Sequence, residues 1–407
     1  MKCRHCKAPL ELTFLDLGHA PPSNAYLSPE QLQAPEVTYP LRIKTCTNCW
    51  LVQTEDYTAA EELFSPEYAY FSSTSKGWLA HAEAYAAMIT VRLGLTADSH
   101  VIEVASNDGY LLKNFVAKGI PCLGIESTDS TADASDALGI PTLREFFGEA
   151  LAHRLAEKGK AADLIVGNNV YAHVPDINDF TMGLAAALKP DGVISLEFPH
   201  LLNLISDSQF DTVYHEHFSY LSLSAVTRIF AAAGLRVFDV EHLPTHVGSL
   251  RIYGCREGAS HSPTPAVAET FDAERKAGLE TETPYRAFQQ CADTVKDGLL
   301  RFLLDAKARG KSVAGYGAAA KGNTLLNYAG VKPDLLPMVA DAAPAKQGQL
   351  LPGSHIPIVT PKALIEARPN YVLILPWNIA AEVMAQLSPL RAQGTQFVTA
   401  IPDLRVQ

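Results

Sequence analysis

Short apolar runs, each followed by a turn and then by helical spacing, recur through the middle of the chain. The clearest is Val101-Ile-Glu-Val104, which has the pattern of a buried parallel strand. It breaks at Asn107-Asp-Gly109, and helical spacing of apolar residues follows from Leu111 to Phe115. Comparable apolar segments lie at 122–126, 163–169 and 192–197. Strands that alternate with helices predict an open parallel sheet, which binds ligands at the carboxyl ends of its strands.

Polar side chains occupy the places where these strands end. Glu126 closes the second strand, where an acid hydrogen-bonds ribose hydroxyls in doubly wound folds. The first loop has neither a lysine nor a glycine-rich cradle, so it suits a cationic or hydroxyl-rich ligand better than a phosphate. The candidate cofactor ligands are Glu103, Ala105, Ser106, Asn107, Asp108, Gly109, Glu126, Asn168 and Asn169.

These strand ends, with the turn Leu188-Lys-Pro-Asp-Gly192 before the fourth strand, resemble the Rossmann-like methyltransferases that use S-adenosylmethionine. The stretch Glu103–Gly109 departs from the Gly-x-Gly form that is commoner in that loop. The alternative is any doubly wound domain with an acidic sheet edge, because many functions share the fold.

A second strand–loop–helix pattern spans Lys311–Asn323. Gly315-Tyr-Gly317 lies in its loop and Asp341 ends the next predicted strand, which matches the dinucleotide fingerprint. Amides at the helix start, together with Lys321, suit a pyrophosphate. Alternatively, the glycines only permit close packing of helix on strand. We expect Gly317, Lys321 and Asn323 to bind substrate.

Two matched cysteine pairs near the N-terminus predict a zinc site. Cys3-x-x-Cys6 and Cys46-x-x-Cys49 can offer four thiolates to one Zn²⁺, and four unrelated free cysteines are the alternative. His5 and His19 are less favoured ligands. Four thiolates leave no open coordination position, so the zinc is expected to be structural. The intervening segment predicts a small independent lobe.

Length, charge and composition predict a multi-domain protein that binds neither nucleic acid nor membranes. A chain of 407 residues is too long for one core, which predicts two or three domains. A net charge of −11 without a basic run argues against nucleic acid as a partner. The sequence has neither a bilayer-spanning apolar stretch nor an apolar N-terminal signal region, so we expect a cytoplasmic protein that does not bind membranes.

Histidines cluster in two stretches outside the cofactor loop. His173 follows the Asn-ended strand, and Tyr214-His-Glu-His217 places two histidines beside an acid. In a strand, His215 and His217 would share one face. A histidine near a carboxylate can serve as a general base, while a metal site and satisfied core histidines are the alternatives.

The pattern as a whole predicts an α/β chain with a zinc-binding lobe at 1–60, a Rossmann-like methyltransferase core at 61–258, and linker helices with a Rossmann-like domain at 259–407. Helical spacing runs over 59–95 and again over 266–309, with a candidate linker at 258–265. The hydroxyl- and aromatic-rich stretch Tyr68–Lys76 is either a flap over the active site or an ordinary capped helix start.

With these parts in order, the whole chain resembles the sugar C-methyltransferases of deoxysugar biosynthesis, some of which serve antibiotic biosynthesis. The matching motifs are the paired Cys-x-x-Cys, Glu103–Gly109, Asn169–Pro175, Tyr214–His217 and Gly315–Gly322. The resemblance implies S-adenosylmethionine as cofactor and a nucleotide-linked ketosugar, dTDP-linked, as substrate. It also implies that the C-terminal domain holds the sugar nucleotide rather than a nicotinamide.

The family's chemistry implies a role for each candidate catalytic residue. His217 matches the proposed base, and Tyr68, with Tyr70 as a possible substitute, matches a tyrosine near the sugar. We expect Glu216 to orient the base or bind a sugar hydroxyl, and Tyr214 and His173 to contact the oxyanion or hydroxyls. A nicotinamide-dependent sugar dehydrogenase or epimerase and a non-catalytic nucleotide-binding zinc scaffold are the alternatives. A monomer or weak homo-oligomer is expected.

Overall fold

Within the residues that the structure describes, β-strands form three separate sheets. The computed structural model describes residues 1–57, 71–245 and 248–407. The sheets belong to an N-terminal lobe, a central domain and a C-terminal domain. This architecture confirms the predicted α/β class with two Rossmann-like domains.

The sheet of the N-terminal lobe is antiparallel and takes one strand from the middle of the chain. Its strands pair in the order β1 (Leu12–Ala20), β2 (Tyr39–Thr45), β3 (Val52–Thr54) and β9 (Ser219–Tyr220). Because β9 comes from the middle of the chain, just after the histidine cluster, and pairs with β3, the lobe's sheet is joined to the core.

The central sheet is parallel except for one strand, and it confirms the four predicted apolar strands. Its strands are β4 (Val101–Val104), β5 (Cys122–Ile125), β6 (Thr142–Leu143), β7 (Ala162–Asn168), β8 (Leu188–Pro199), β10 (Leu235–Leu243) and β11 (Ser249–Arg256). In space they run β6-β5-β4-β7-β8-β11-β10, with β11 antiparallel to its neighbours. The strand order reverses between β4 and β7, so the crevice beyond their carboxyl ends is the expected ligand site.

Helices pack on both faces of the central sheet. They are α1 (Lys76–Leu93), α2 (Lys113–Val116), α3 (Asp129–Ala137), α4 (Glu149–Glu157), α5 (Ile177–Ala187), α6 (Leu201–Ser206) and α7 (Leu223–Ala232). The apolar residues of α1 and Phe115 cover one face, and those of α4, α5 and α7 cover the other. In the described part of the chain, no helix is long and apolar enough to cross a membrane.

The predicted helical stretch at 266–309 is two helices, α8 (Pro265–Lys276) and α9 (Thr283–Ala308). The break contains Gly278, whose φ of 79° lies in the left-handed region. Helix α9 supports the lobe: Phe14 stacks on Phe288 with ring centroids 4.6 Å apart. The lobe and the C-terminal domain therefore share one apolar core.

The C-terminal sheet confirms the second strand–loop–helix pattern. Its strands are β12 (Val313–Tyr316), β13 (Val339–Ala340), β14 (Ile358–Val359), β15 (Tyr371–Ile374), β16 (Gln396–Thr399) and β17 (Arg405–Val406). Their order is β14-β13-β12-β15-β16-β17, with β17 alone antiparallel among these strands. Its helices are α10 (Ala320–Tyr328), α11 (Pro361–Ala367), α12 (Ala380–Gln386) and α13 (Ser388–Ala392).

Candidate active site

The loop after β4 has the backbone of a glycine-rich turn although only one glycine remains in it. Ala105, Asn107 and Gly109 have φ values of 55°, 49° and 75°, all left-handed. Glycine adopts this region freely, whereas alanine is strained there. A Cβ at Gly109 would lie 2.5 Å from Cδ1 of Ile140, so this glycine is required by space as well. The departure from Gly-x-Gly thus changes the side chains but keeps the turn.

Carboxylate and amide oxygens line this crevice and suit hydroxyl and ammonium donors. Glu126 accepts hydrogen bonds from the amides of Asn107 and Thr128, both at 2.9 Å, which fixes its carboxylate and leaves lone pairs for a ligand. Buried oxygens of Asp108 (Oδ1) and Asn168 (Oδ1) have no hydrogen-bond partner among the described residues. A ligand with a ribose, an amino group and a positive charge fits this set of acceptors.

Two predicted cofactor residues are buried in the protein interior. Glu103 is fully buried inside β4, and burial raises its pKa well above the usual carboxyl value, with the neighbouring Tyr110 hydroxyl opposing the rise. Ser106 is also fully buried, and its Oγ lies 2.6 Å from the place a Cβ on Gly124 would take. Both side chains therefore pack beneath the loop in the protein interior.

The segment before α1 is attached to the cofactor loop. The amides of Ser72 and Ser73 donate to the side chains of Asn107 and Asp108, at 2.8 Å and 3.1 Å. Ser75 caps α1 by accepting from the Trp78 amide, so a capped helix start is present. The predicted flap tyrosines, Tyr68 and Tyr70, lie outside the described residues.

His173 and His217 meet at the carboxyl edge of the central sheet. His173 lies in the turn of 3-10 helix that follows β7, and its ring centroid is 4.5 Å from that of His217. Its Nδ1–H donates to the Glu216 carbonyl at 2.9 Å. Burial lowers the pKa of His173 to about 4, so its imidazole is neutral at physiological pH and Nε2 is an acceptor. The ring centroids of Tyr214 and His217 lie 4.1 Å apart.

Tyr214–His217 is not a strand, so the shared face that a strand would give His215 and His217 is not formed. The segment is a turn that is closed by the His217 amide donating to the Tyr214 carbonyl at 3.0 Å. His215 points to the lobe, where its Nε2 lies 3.3 Å from the Tyr39 carbonyl oxygen. Of these two histidines, it is His217 that faces His173.

The carboxylate of Glu216 contacts the lobe. Asn24 donates to both carboxylate oxygens, at 3.1 Å and 2.9 Å. Burial raises the pKa of Glu216 to about 7, with this hydrogen bond opposing the rise. Sequence reasoning missed Asn24 because it lies 192 residues away along the chain.

Two of the three substrate-binding residues predicted in the C-terminal domain are packed against neighbouring residues. The space beside Gly317 is filled by Pro376, whose Cδ lies 2.3 Å from where a Cβ would be. Asn323 is 1% exposed and donates to the Ser23 carbonyl at 2.6 Å. The geometry therefore favours close packing for both residues. Lys321 differs, because its Nζ donates to Asn378 at 2.9 Å and lies 5.3 Å from the centre of the Trp377 ring.

A buried carboxyl that the sequence did not indicate lies near Lys321. Asp211 accepts from the Trp377 indole N–H at 2.9 Å, and its Oδ1 has no hydrogen-bond partner among the described residues. Burial raises the pKa of Asp211 to about 6, against the attraction of Lys321. This group joins the central and C-terminal domains.

The four predicted zinc ligands converge in the lobe. The sulfurs of Cys3, Cys6, Cys46 and Cys49 all lie within 4.8 Å of one another. A tetrahedral ZnS₄ site with bonds of about 2.3 Å needs sulfurs about 3.8 Å apart, so the cluster fits the metal. His5 instead bonds Asn178, with its Nδ1 2.8 Å from Oδ1.

Similarity over the full length decides the family. The C-methyltransferase NovU of Streptomyces niveus is 33% identical over 405 residues, which cover 100% of this chain and 96% of the relative. The chain belongs to the C-methyltransferase family. Family models also match a zinc binding domain at 3–64, a methyltransferase domain at 78–240 and a C-methyltransferase C-terminal domain at 244–402.

These matches confirm an S-adenosylmethionine-dependent methyltransferase with a zinc-binding lobe. Two solved structures each resemble about half of this C-methyltransferase. The magnesium protoporphyrin IX methyltransferase of Synechocystis with bound SAM is 13% identical, with a TM-score of 0.34 over 44% of this chain and 80% of that one. The 1,6-didemethyltoxoflavin-N1-methyltransferase of Burkholderia thailandensis is 14% identical, with a TM-score of 0.38 over 51% and 95%. The fold assignment therefore rests on the strand order and the family match.

Proposed function

We propose that the protein methylates the ring carbon beside the ketone of a nucleotide-linked sugar, with His217 as the base. The observation that carries the proposal is the pairing of His173 with His217 at the carboxyl edge that also holds the cofactor loop. A carbon beside a ketone becomes nucleophilic only after it loses a proton, so the reaction needs a base of this kind.

The proposed proton transfer uses the imidazole of His217. The C–H bond breaks, the proton goes to His217, and the electron pair forms an enolate with its charge on the former ketone oxygen. His173, whose Nδ1–H donates to the Glu216 carbonyl, is the proposed contact for a sugar hydroxyl. The Tyr214 hydroxyl is then the proposed donor to the oxyanion.

The cofactor loop has a separate role in positioning. When bound, S-adenosylmethionine supplies the methyl group as an electrophile attached to a sulfonium. Glu126 would hold the ribose, and the unpartnered oxygens of Asp108 and Asn168 would accept from the cofactor's donors. Alignment of nucleophile and methyl group supplies much of the rate enhancement in such a transfer.

One lysine of the C-terminal domain suits a nucleotide on the sugar. Lys321 is the cation that we propose for the pyrophosphate of a dTDP-linked substrate, at the junction with Asp211. A nicotinamide site in the same loop is disfavoured because Pro376 and Leu375 occupy the space beside Gly317 and Gly322.

Proton exchange tests the base without requiring methyl transfer. A dTDP-linked ketosugar is incubated in deuterated water with S-adenosylhomocysteine bound, and deuterium at the carbon beside the ketone is followed by NMR. Wild type should exchange this position. His217→Asn should slow exchange by about 10²–10⁴-fold, the usual contribution of a positioned general base, and still bind both ligands.

His215→Asn is the matched control, because His215 faces the Tyr39 carbonyl and not His173. This variant should exchange within a few-fold of wild type. Undiminished exchange in His217→Asn would remove His217 from the role of base. Absence of exchange in wild type, with ligand binding demonstrated, would overturn the proposed substrate.

A further inference from the structure

One side chain of the first cysteine knuckle, that of Arg4, contacts the segments that carry His173 and His217. Arg4 lies between the zinc ligands Cys3 and Cys6, and it is 8% exposed. Its guanidinium lies over the Phe218 ring, 5.0 Å from the ring centre. A buried guanidinium needs partners for its five N–H groups.

The partners of Arg4 are backbone carbonyls of three different segments. Nε donates to the Phe218 carbonyl at 3.2 Å, one terminal nitrogen to the Pro175 carbonyl at 2.8 Å, and the other to the Thr54 carbonyl at 3.0 Å. Asp56 pairs with the last of these nitrogens. The planar fork of arginine can bond several carbonyls at once, which the single ammonium of lysine cannot reproduce.

Two of these carbonyls lie next to the paired histidines. Phe218 directly follows His217, and Pro175 lies two residues after His173. The same two segments are also joined by the Phe218 amide, which donates to the Ala172 carbonyl at 2.8 Å. The Thr54 hydroxyl bonds the His217 carbonyl. Arg4 therefore bridges both histidine segments from the side of the metal site.

We propose that Arg4 is a positioning residue that sets the distance and orientation of His217 relative to His173. The zinc in the lobe, though structural, then supports chemistry by fixing the backbone from which Arg4 projects. This inference rests on the proposed function only for its catalytic consequence, since the placement of the rings can be measured without substrate.

Arg4→Lys is the first test, with Arg42→Lys as the matched control. Arg42 is also in the lobe but pairs with Asp16 and Glu55, away from the histidines. We expect Arg4→Lys to keep its zinc and lower kcat by about 10–100-fold with KM for the sugar within about threefold, because displacement of a reacting group by about 1 Å can cost 10²-fold. Deuterium exchange should slow by the same factor, and Arg42→Lys should match wild type.

Nitrogen-15 NMR of the histidine rings supplies a readout that does not depend on activity. Wild type should show His173 protonated on Nδ1, as its bond to the Glu216 carbonyl requires. Arg4→Lys should lose that single tautomer. If Arg4→Lys does not fold, Asp56→Asn is tested in its place with the same two measurements. The half-exposed side chain of Asp56 orients the Arg4 guanidinium.

Unchanged His173 tautomer and unchanged kcat in the folded variant overturn the inference. Failure of the proposed function looks different, because wild type itself would then show no deuterium exchange while the ring spectra of the Arg4 variant still changed.

Discussion

At the scale of single residues, Glu126 is the side chain whose surroundings best define a role. Two backbone amides hold its carboxylate at the edge of the sheet, and it is 7% exposed. The orientation is therefore fixed before any ligand arrives. Preorganised acceptors of this kind bind hydroxyl pairs with little loss of side-chain entropy.

Glu126→Ala should weaken S-adenosylmethionine binding by about 10–100-fold, since hydrogen bonds to a charged group contribute about 1.5–3 kcal/mol. Isothermal titration calorimetry measures the change, and Asp129→Asn on the exposed start of α3 is the control. An intact variant with wild-type affinity would show that the cofactor's ribose is held elsewhere.

The histidine cluster shows where prediction from sequence stops at this scale. A spacing of two residues suggested that His215 and His217 point the same way, but the chain turns at Tyr214–His217 without a glycine or proline to signal it. Glu216 was expected beside His217, yet its carboxylate contacts Asn24. Contacts across nearly two hundred residues leave no local pattern in the sequence.

At the scale of elements, prediction from sequence succeeded where burial alone decides the structure. The runs that became β4, β5, β7 and β8 are short and mostly apolar, which is the pattern of a parallel strand covered on both faces. The cysteine knuckles were equally predictable, because metal ligation imposes its own spacing. The sheet of the lobe could not be predicted, since β9 is two residues long and has no periodicity.

Removal of a zinc ligand should destabilise the protein. Cys3→Ser should lose the metal and lower the unfolding temperature by at least about 2 °C, because zinc binding contributes directly to folding. Metal analysis and thermal denaturation are the measurements. Cys291→Ser, on the exposed face of α9, serves as the control and should keep about one zinc per chain. Full zinc content in Cys3→Ser would contradict the assigned ligand set.

At the scale of the whole molecule, the three sheets meet around a short segment of the lobe. Ser23 bonds Asn323 of the C-terminal domain, Asn24 bonds Glu216 of the core, and the Tyr26 hydroxyl donates to the Ala318 carbonyl at 2.6 Å. The domain boundaries proposed from sequence therefore divide a region that is continuous in its hydrogen bonding.

The carboxyl of Glu216 should make this junction sensitive to pH. Its folded pKa of about 7 lies above the ordinary value of 4.5, so the folded state binds the proton more tightly. The resulting stability is complete below about pH 4.5 and is lost as pH rises through about 7, up to about 3 kcal/mol. Glu216→Gln cannot ionise and lacks this dependence. Thermal denaturation at about pH 5 and about pH 8 should show the wild type losing stability relative to the variant.

Glu366→Gln, on the exposed surface of α11, is the control for this pH comparison and should follow the wild type at both pH values. If the wild type and Glu216→Gln kept a constant difference in unfolding temperature between the two pH values, Glu216 would not be the responsible group.

Strand β9, which lies in the core sequence but pairs in the lobe's sheet, affects how the chain can fold during synthesis. Both cysteine knuckles leave the ribosome well before β9, so their sheet is incomplete until residue 220 has emerged. Phe14 remains uncovered for longer, because the ring that it stacks on belongs to Phe288. N-terminal domains usually fold first as a chain is made. Here the lobe's own strands are translated before the core, but their apolar surface stays uncovered until β9 and Phe288 have been made.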